Sequence, residues 1–242
     1  MTDSTDLADA LIDAHLKGGS IAPSAPSLSR AEIMAVQARV SAALGPVAGF
    51  KVGTSPDGPP ILAPIQTRYV VANGGTRAVP EKLGIELEVG FELVEPLPSP
   101  GLPARPERHF RPCAVLELVE TRLSGAAAER PDLKFADFQI NAGLAVGDTR
   151  RDWDGSDFGT LRARLVSDTE TVLDGEASVP GGSALANLDL LLVSLGDHCG
   201  GLQVGQIVIT GSLCGLPWFT PDADVSGWIE GLGEVSVRVR QA

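Results

Sequence analysis

From Ile85 to Leu93 the chain alternates without a break. Ile85, Leu87, Val89, Phe91 and Leu93 are apolar, with Glu86, Glu88, Gly90 and Glu92 between them. Period two is the mark of a strand with one buried face. Cys113–Val119 predicts another strand, apolar except for Glu117, and Val47–Gly53 predicts a third, with Lys51 set between Phe50 and Val52. Gln206–Gly211 reads as a strand closed by glycine. Leu161–Val166 and Glu170–Leu173 flank Ser167-Asp168-Thr169 as a hairpin, and Val225–Ile229 and Val235–Val239 flank Gly231-Leu232-Gly233 as another.

Helical spacing appears at three places. Leu7, Ala10, Leu11 and Ala14 predict a helix over residues 4–17. Ser29-Arg30-Ala31-Glu32 is a capping box, opening a helix that ends near Leu44-Gly45-Pro46. Ser183 is an N-cap for a helix from Ala184 to Leu195. Between these lie a Pro/Ser/Gly-rich linker (18–27), a loop with four prolines (55–64), a turn at Asn73-Gly74-Gly75 and a proline-rich loop (96–112). The pattern predicts an α+β chain. A small N-terminal helical region with some strand occupies residues 1–80, and a mainly β unit occupies residues 81–242.

Composition narrows the function. Hydrophobic residues make up 43% and charged residues 21% of the 242, which suits a packed globular chain. With 31 acidic and 19 basic residues the net charge is −12, a field that repels phosphate backbones and anionic bilayers. Nucleic acid and membrane are therefore not expected as partners. Cys113, Cys199 and Cys214 form no CxxC pair, so neither zinc nor a disulfide framework is indicated. No apolar run resembles a signal peptide or reaches membrane-spanning length, and a cytoplasmic location is expected. A small anionic substrate would need a local positive centre, which a bound cation can supply.

Glu86 and Glu88 point to one face of their strand, with Cα atoms about 6–7 Å apart. Alone, such a pair also fits the polar side of an edge strand. Glu117 shifts the balance, because a lone acid in an apolar strand needs a partner if it is buried. Three carboxylates suit a hard cation such as Mg2+ or Mn2+ that keeps positions for water or substrate oxygens. Lys51 can bind an anion or move a proton, or it can simply extend to solvent from an edge. Thr210-Gly211-Ser212-Leu213-Cys214-Gly215 has the composition of a loop that approaches a ligand closely, and equally of an ordinary turn. Arg68 can grip a second substrate carboxylate, or it is an exposed loop residue.

These pieces occur together in one family. Phe50-Lys51-Val52-Gly53, Ile85-Glu86-Leu87-Glu88-Val89-Gly90-Phe91, Ala114-Val115-Leu116-Glu117, Ala136-Asp137 through Asn141 and Gly143, Ser194-Leu195-Gly196, Gly205 through Gly215 and Ile229 through Gly233 resemble the 2-keto-4-pentenoate hydratase and 4-oxalocrotonate decarboxylase group of the fumarylacetoacetase superfamily. The resemblance implies a mixed β-sandwich roll, a magnesium or manganese ion held by Glu86, Glu88 and Glu117, and an oligomer of identical chains or one paired with a related subunit. It implies substrate contact or proton transfer at Lys51, and substrate contacts at Thr210, Gly211, Ser212 and Asp137. Hydratase members have an acid between the Lys strand and the Glu strand, where this chain has Arg68, and Cys214 stands where threonine is common. The histidines, His15, His109 and His198, lie outside these motifs, which argues against a hydrolase that uses a His–Glu pair. The implied reaction is water addition to a 2-hydroxy-dienoate or 2-oxo-enoate in the breakdown of aromatic rings. Decarboxylation is the alternative, and a metal-binding partner subunit or a paralogue with little activity is the alternative of another class.

Overall fold

The structure is a computed structural model that describes residues 4–24, 26–54 and 58–242. Two helices lead, α1 (Ser4–Lys17) and α2 (Arg30–Leu44), and Ser29 and Glu32 form the expected capping box. Strands β1 (Val47–Gly53), β2 (Ile61–Gln66), β3 (Val70–Ala72), β4 (Gly75–Val79) and β5 (Leu83–Leu93) follow. After the short α3 (Pro106–His109) come β6 (Phe110–Val119), α4 (Pro131–Ala136) and β7 (Asn141–Val146). The rest comprises β8 (Thr160–Ser167), β9 (Thr171–Ser178), α5 (Ala184–Ser194), β10 (Ile207–Ser212), β11 (Trp218–Phe219), β12 (Asp224–Ile229) and β13 (Gly233–Gln241). Among the described residues no helix is long and apolar enough to cross a membrane.

The strands form two mixed sheets. The larger runs β2-β1-β10-β5-β6-β7-β3, with β11 added to one end of β5, and the smaller runs β4-β13-β12-β8-β9. Strands from both sides of residue 80 share these sheets, since β1 pairs in parallel with β10 and β4 in parallel with β13. The apolar face of β5 meets β12 and β13. Ile85, Leu87, Val89 and Phe91 pack with Leu116, Val225, Val235, Val237 and Leu188 of α5 in the main core. Helices α1, α2 and α4 cover part of the opposite face, through Leu7, Leu11, Val36, Val40 and Leu133, with Phe138 of the following turn. This is the α+β roll expected from the sequence.

The strand expected at 85–93 starts two residues earlier, and both hairpins form as β8/β9 and β12/β13. The three cysteines are free. Two loops are corrected. Residues 55–57 lie outside the described residues, but Ile61–Gln66 is a strand despite Pro64, which is tolerated because β2 is the sheet edge and pairs only with β1. Phe110–Pro112 belongs to β6. Pro112 pairs with Phe91 on one side and lies beyond the reach of β7, whose pairing with β6 spans only Val115–Val119, so its missing N–H breaks no ladder there.

Strand β7 carries no period-two signal strong enough to predict it. It is preceded by three consecutive non-glycine residues in the left-handed region, Phe138, Gln139 and Ile140 (φ 53°, 51° and 57°). Such residues cost free energy and persist only where the surroundings hold them. Here Phe138 is buried against α1 and α2, and the Ile140 carbonyl accepts from the Glu120 N–H. Gly143 follows at φ 135°, and a Cβ there would lie 2.1 Å from the Tyr69 carbonyl oxygen. Gly143→Ala is therefore expected to cost about 3 kcal/mol. For a chain of this size that lowers Tm by roughly 6–12 °C. An unchanged melting curve would disprove this close approach of chain segments.

Candidate active site

Strands β5 and β6 run antiparallel with Glu86 directly opposite Glu117, and Glu88 lies one step further along the same face. Glu88 and Glu117 are buried and Glu86 is half-buried. One carboxylate oxygen from each lies within 4.8 Å of the others. Like charges placed opposite each other on a sheet repel, and burial strengthens the repulsion. Something positive has to stand among them.

Lys51 is part of the answer. Its Nζ lies 2.5 Å from Glu117 Oε1. In the sheet order three inter-strand steps separate β1 from β6, about 14 Å if the sheet were flat. The contact exists because the sheet curls, bringing its ends toward each other over this face. The intervening strand β10 is interrupted here, its register shifting between Ile209 and Ser212. Gly211 sits in that interruption at φ 106°, where a Cβ would also press on Pro180 at 2.8 Å. Its N–H donates to Glu88 Oε2 at 2.6 Å.

Asn141 completes the frame, and sequence reasoning gave it no role. Its Nδ2 donates to Glu117 Oε1 at 2.8 Å, while its Oδ1 accepts the Gly143 N–H at 3.1 Å. A buried asparagine opening an apolar strand was the available signal, because such a group must find partners. Lys51 and Asn141 both use Oε1. The other oxygen of Glu117, Oε2, is buried with no hydrogen-bond partner among the described residues. A buried carboxylate oxygen left bare beside two further carboxylates fits a hard cation or, in its place, a proton held on a neighbouring carboxyl.

The electrostatics agree. Burial, reinforced by the charge of Glu117, pushes the Glu86 carboxyl from its usual 4.5 up to about 7, although Lys51 and Ser212 act in the opposite sense. Burial raises Glu88 well above the ordinary range, with the charges of Glu117 and Glu86 adding to it. At Lys51 burial opposes the ammonium, but the charges of Glu117, Glu86 and Glu88 outweigh it and hold the pKa above its usual value.

The other residues singled out in the sequence fall elsewhere or at the margin. The Ser212 hydroxyl donates to the Gly215 carbonyl at 2.6 Å and lies 3.7 Å from the Cys214 sulfur, at the edge of the cluster. Thr210 alternates away from it, and its hydroxyl donates to the Val89 carbonyl. Asp137 accepts from Arg122 Nε at 2.8 Å and faces His15. Arg68 is exposed on the turn after β2, with its guanidinium 5.6 Å from the Tyr69 ring centre. His198 follows α5 and pairs with Gln37.

No protein-family model matches the sequence, and no curated protein matches it. Solved structures do. A 4-oxalocrotonate decarboxylase from Pseudomonas putida G7, complexed with calcium and acetate, is similar with a TM-score of 0.79 at 21% identity, over 98% of this chain and 96% of that one. The same enzyme complexed with magnesium and adipate gives 0.80 at 20% identity, over 98% and 97%. The chain has the fold of these decarboxylases. A 2-hydroxyhepta-2,4-diene-1,7-dioate isomerase from Mycobacterium marinum shares this fold less fully, with a TM-score of 0.57 at 16% identity over 81% of this chain and 76% of that one.

Two outcomes follow from the carboxylate cluster. Glu88→Gln is expected to weaken magnesium or manganese binding by at least about tenfold, as calorimetry would measure. Unchanged affinity would remove Glu88 from the ligand set. The second concerns pH. The folded carboxyl pKa values lie above the usual 4.5, so the folded metal-free chain holds protons that the unfolded chain has released. Stability of the metal-free protein is therefore expected to fall as pH rises from about 4.5 through about 7. Saturating magnesium should abolish that fall, and metal binding near pH 7 should release protons. A metal-free melting temperature that climbs across this window would contradict the assignment.

Proposed function

We propose that this chain is a divalent-metal-dependent lyase of the 4-oxalocrotonate decarboxylase and 2-keto-4-pentenoate hydratase group, acting on a small unsaturated 2-oxo acid. The observation that carries the reading is the bare Oε2 of Glu117 set among Glu86, Glu88 and Lys51. Magnesium and calcium in the similar decarboxylase structures, with the dicarboxylate adipate in one of them, support it.

Glu86, Glu88 and Glu117 would hold the cation. When bound, it supplies a Lewis acid that draws electrons toward the 2-oxo oxygen of a chelated acid. The protein's own groups manage the rest. Asn141 and the Gly211 N–H fix the directions of two carboxylates before substrate arrives. Lys51 carries a proton at Nζ on the same face. In decarboxylation the electrons of the breaking C–C bond pass into the conjugated 2-oxo system, carbon dioxide leaves, and Lys51 returns a proton to carbon. A bound cation would offset the carboxylate charges that hold this proton in the metal-free protein, which would ease its delivery.

Decarboxylation is favoured because water addition needs a base in addition to a proton donor. Among the described residues, the acids gathered at this centre are the three glutamates that would hold the cation. Hydration remains the second reading on one specific ground. The motifs of this chain are shared with hydratases, and the same polarised 2-oxo acid can accept water at its far carbon.

A single assay separates these readings. The protein is incubated with magnesium and a 2-hydroxy-dienoate dicarboxylate while loss of dienoate absorbance and release of carbon dioxide are followed. One carbon dioxide per dienoate consumed indicates the decarboxylase. Hydrated acid without carbon dioxide indicates the hydratase, and neither product rules out both. Lys51→Met is expected to lower kcat by at least about a hundredfold. The metal affinity of that variant should remain, unlike that of Glu88→Gln.

A further inference from the structure

A second polar centre lies apart from the carboxylates, where the end of α1 meets the exit of β6. A cavity of about 140 Å3 there is lined by His15, Tyr69, Arg77, Glu120, Thr121 and Arg122, with bare backbone at Gly18 and Gly19. At roughly 30 Å3 per water, it has room for four or five water molecules, or for one small oxoanion. None of the three clustered glutamates lines it.

Its charge runs against that of the protein. The chain carries a net −12, yet Arg68, Arg77 and Arg122 all act electrostatically on the single residue Tyr69. Two acids, Asp137 and Glu120, stand against these three arginines. Asp137 is committed, accepting from Arg122 Nε at 2.8 Å and from the Arg122 backbone N–H at 3.1 Å. Neither these bonds nor the one from Arg122 Nη2 to the Asp137 carbonyl uses Arg122 Nη1. Glu120 is a poor partner for Arg77, with 3.5 Å from its Oε2 to Arg77 Nη2. The Arg77 guanidinium rests 5.4 Å from the Tyr69 ring centre, and its Nε is buried without a hydrogen-bond partner among the described residues. His15 Nε2, on a side chain 2% exposed, is likewise without a hydrogen bond and stands 3.4 Å from Asp137 Oδ1. The buried Arg77 Nε is a donor without an acceptor among the described residues, a cost that an oxoanion would recover.

We propose that this cavity binds a small oxoanion, a monocarboxylate or inorganic phosphate, gripped by the Arg77 guanidinium with Arg122 and Thr121 beside it. The site shares no residue with the carboxylate centre. It nonetheless adjoins the chain that holds that centre, since Ala142 lines the cavity and Asn141 binds Glu117.

Acetate and phosphate are titrated separately into the wild-type protein, at constant ionic strength, with chloride as reference. Each is measured with magnesium and again with EDTA. Binding of either anion that survives EDTA, and weakens at least about tenfold in Arg77→Gln, supports the site. Arg77→Lys, which keeps the charge but loses the fork, should bind with intermediate affinity. Binding abolished by EDTA would place the anion on the metal centre and overturn the proposal, as would equal binding in wild type and Arg77→Gln, or binding of neither anion. Should the variants fail to fold, a wild-type crystal soaked in selenate gives an independent answer. Anomalous density between Arg77 and Arg122 supports the site, and its absence there overturns it.

Discussion

Three carboxylates, two buried and one half-buried, gather on one face of one sheet, and the local architecture answers that constraint. Fully ionised, Glu86, Glu88 and Glu117 bring three negative charges against the single positive charge of Lys51. In a poorly solvated place such an imbalance is met by protonation or by a cation. The features that look costly in isolation all serve this cluster. The curl of the sheet brings Lys51 across, the interruption of β10 presents the Gly211 N–H, and the left-handed turn before β7 delivers Asn141.

Much of this was legible in the sequence because period two is a strong signal. The alternation at Ile85–Leu93 gave both the strand and the shared face of Glu86 and Glu88, and an acid in an apolar run marked Glu117. What the sequence did not show is curvature. No local pattern says that a lysine three strands away reaches Glu117, since the bend is a property of the whole sheet. Strand β2 was hidden by prolines that only an edge position excuses. The turn at Phe138–Ile140 was hidden for the opposite reason. Phe-Gln-Ile contains none of the residues that announce a left-handed backbone, and tertiary packing imposes that conformation. Arginine proved the hardest residue type to place. Arg68 drew attention by its position in the chain, whereas Arg77 and Arg122, which line a cavity, carried no motif at all.

The two polar centres divide the chemistry of an acidic protein. One gathers negative charge and asks for a cation. The other gathers positive charge around an aromatic ring. They are joined through residues 137–142, whose first member faces Arg122 and His15 and whose Asn141 holds Glu117. One short segment thus anchors a group at each centre.

The place of β10 in the large sheet has a kinetic consequence. Gly49–Lys51 pair with Ile207–Ile209, and β10 in turn pairs with β5. Until the segment around residue 207 has been synthesised and inserted, the large sheet exists as two pieces, β2-β1 and β5-β6-β7-β3, each with an open edge. Pairing so distant along the chain is slow to form, and unpaired edges invite association between nascent chains. The same insertion that completes the sheet brings Lys51 to Glu117. On the ribosome, then, the Lys51–Glu117 contact and protection from aggregation would be acquired in one late step.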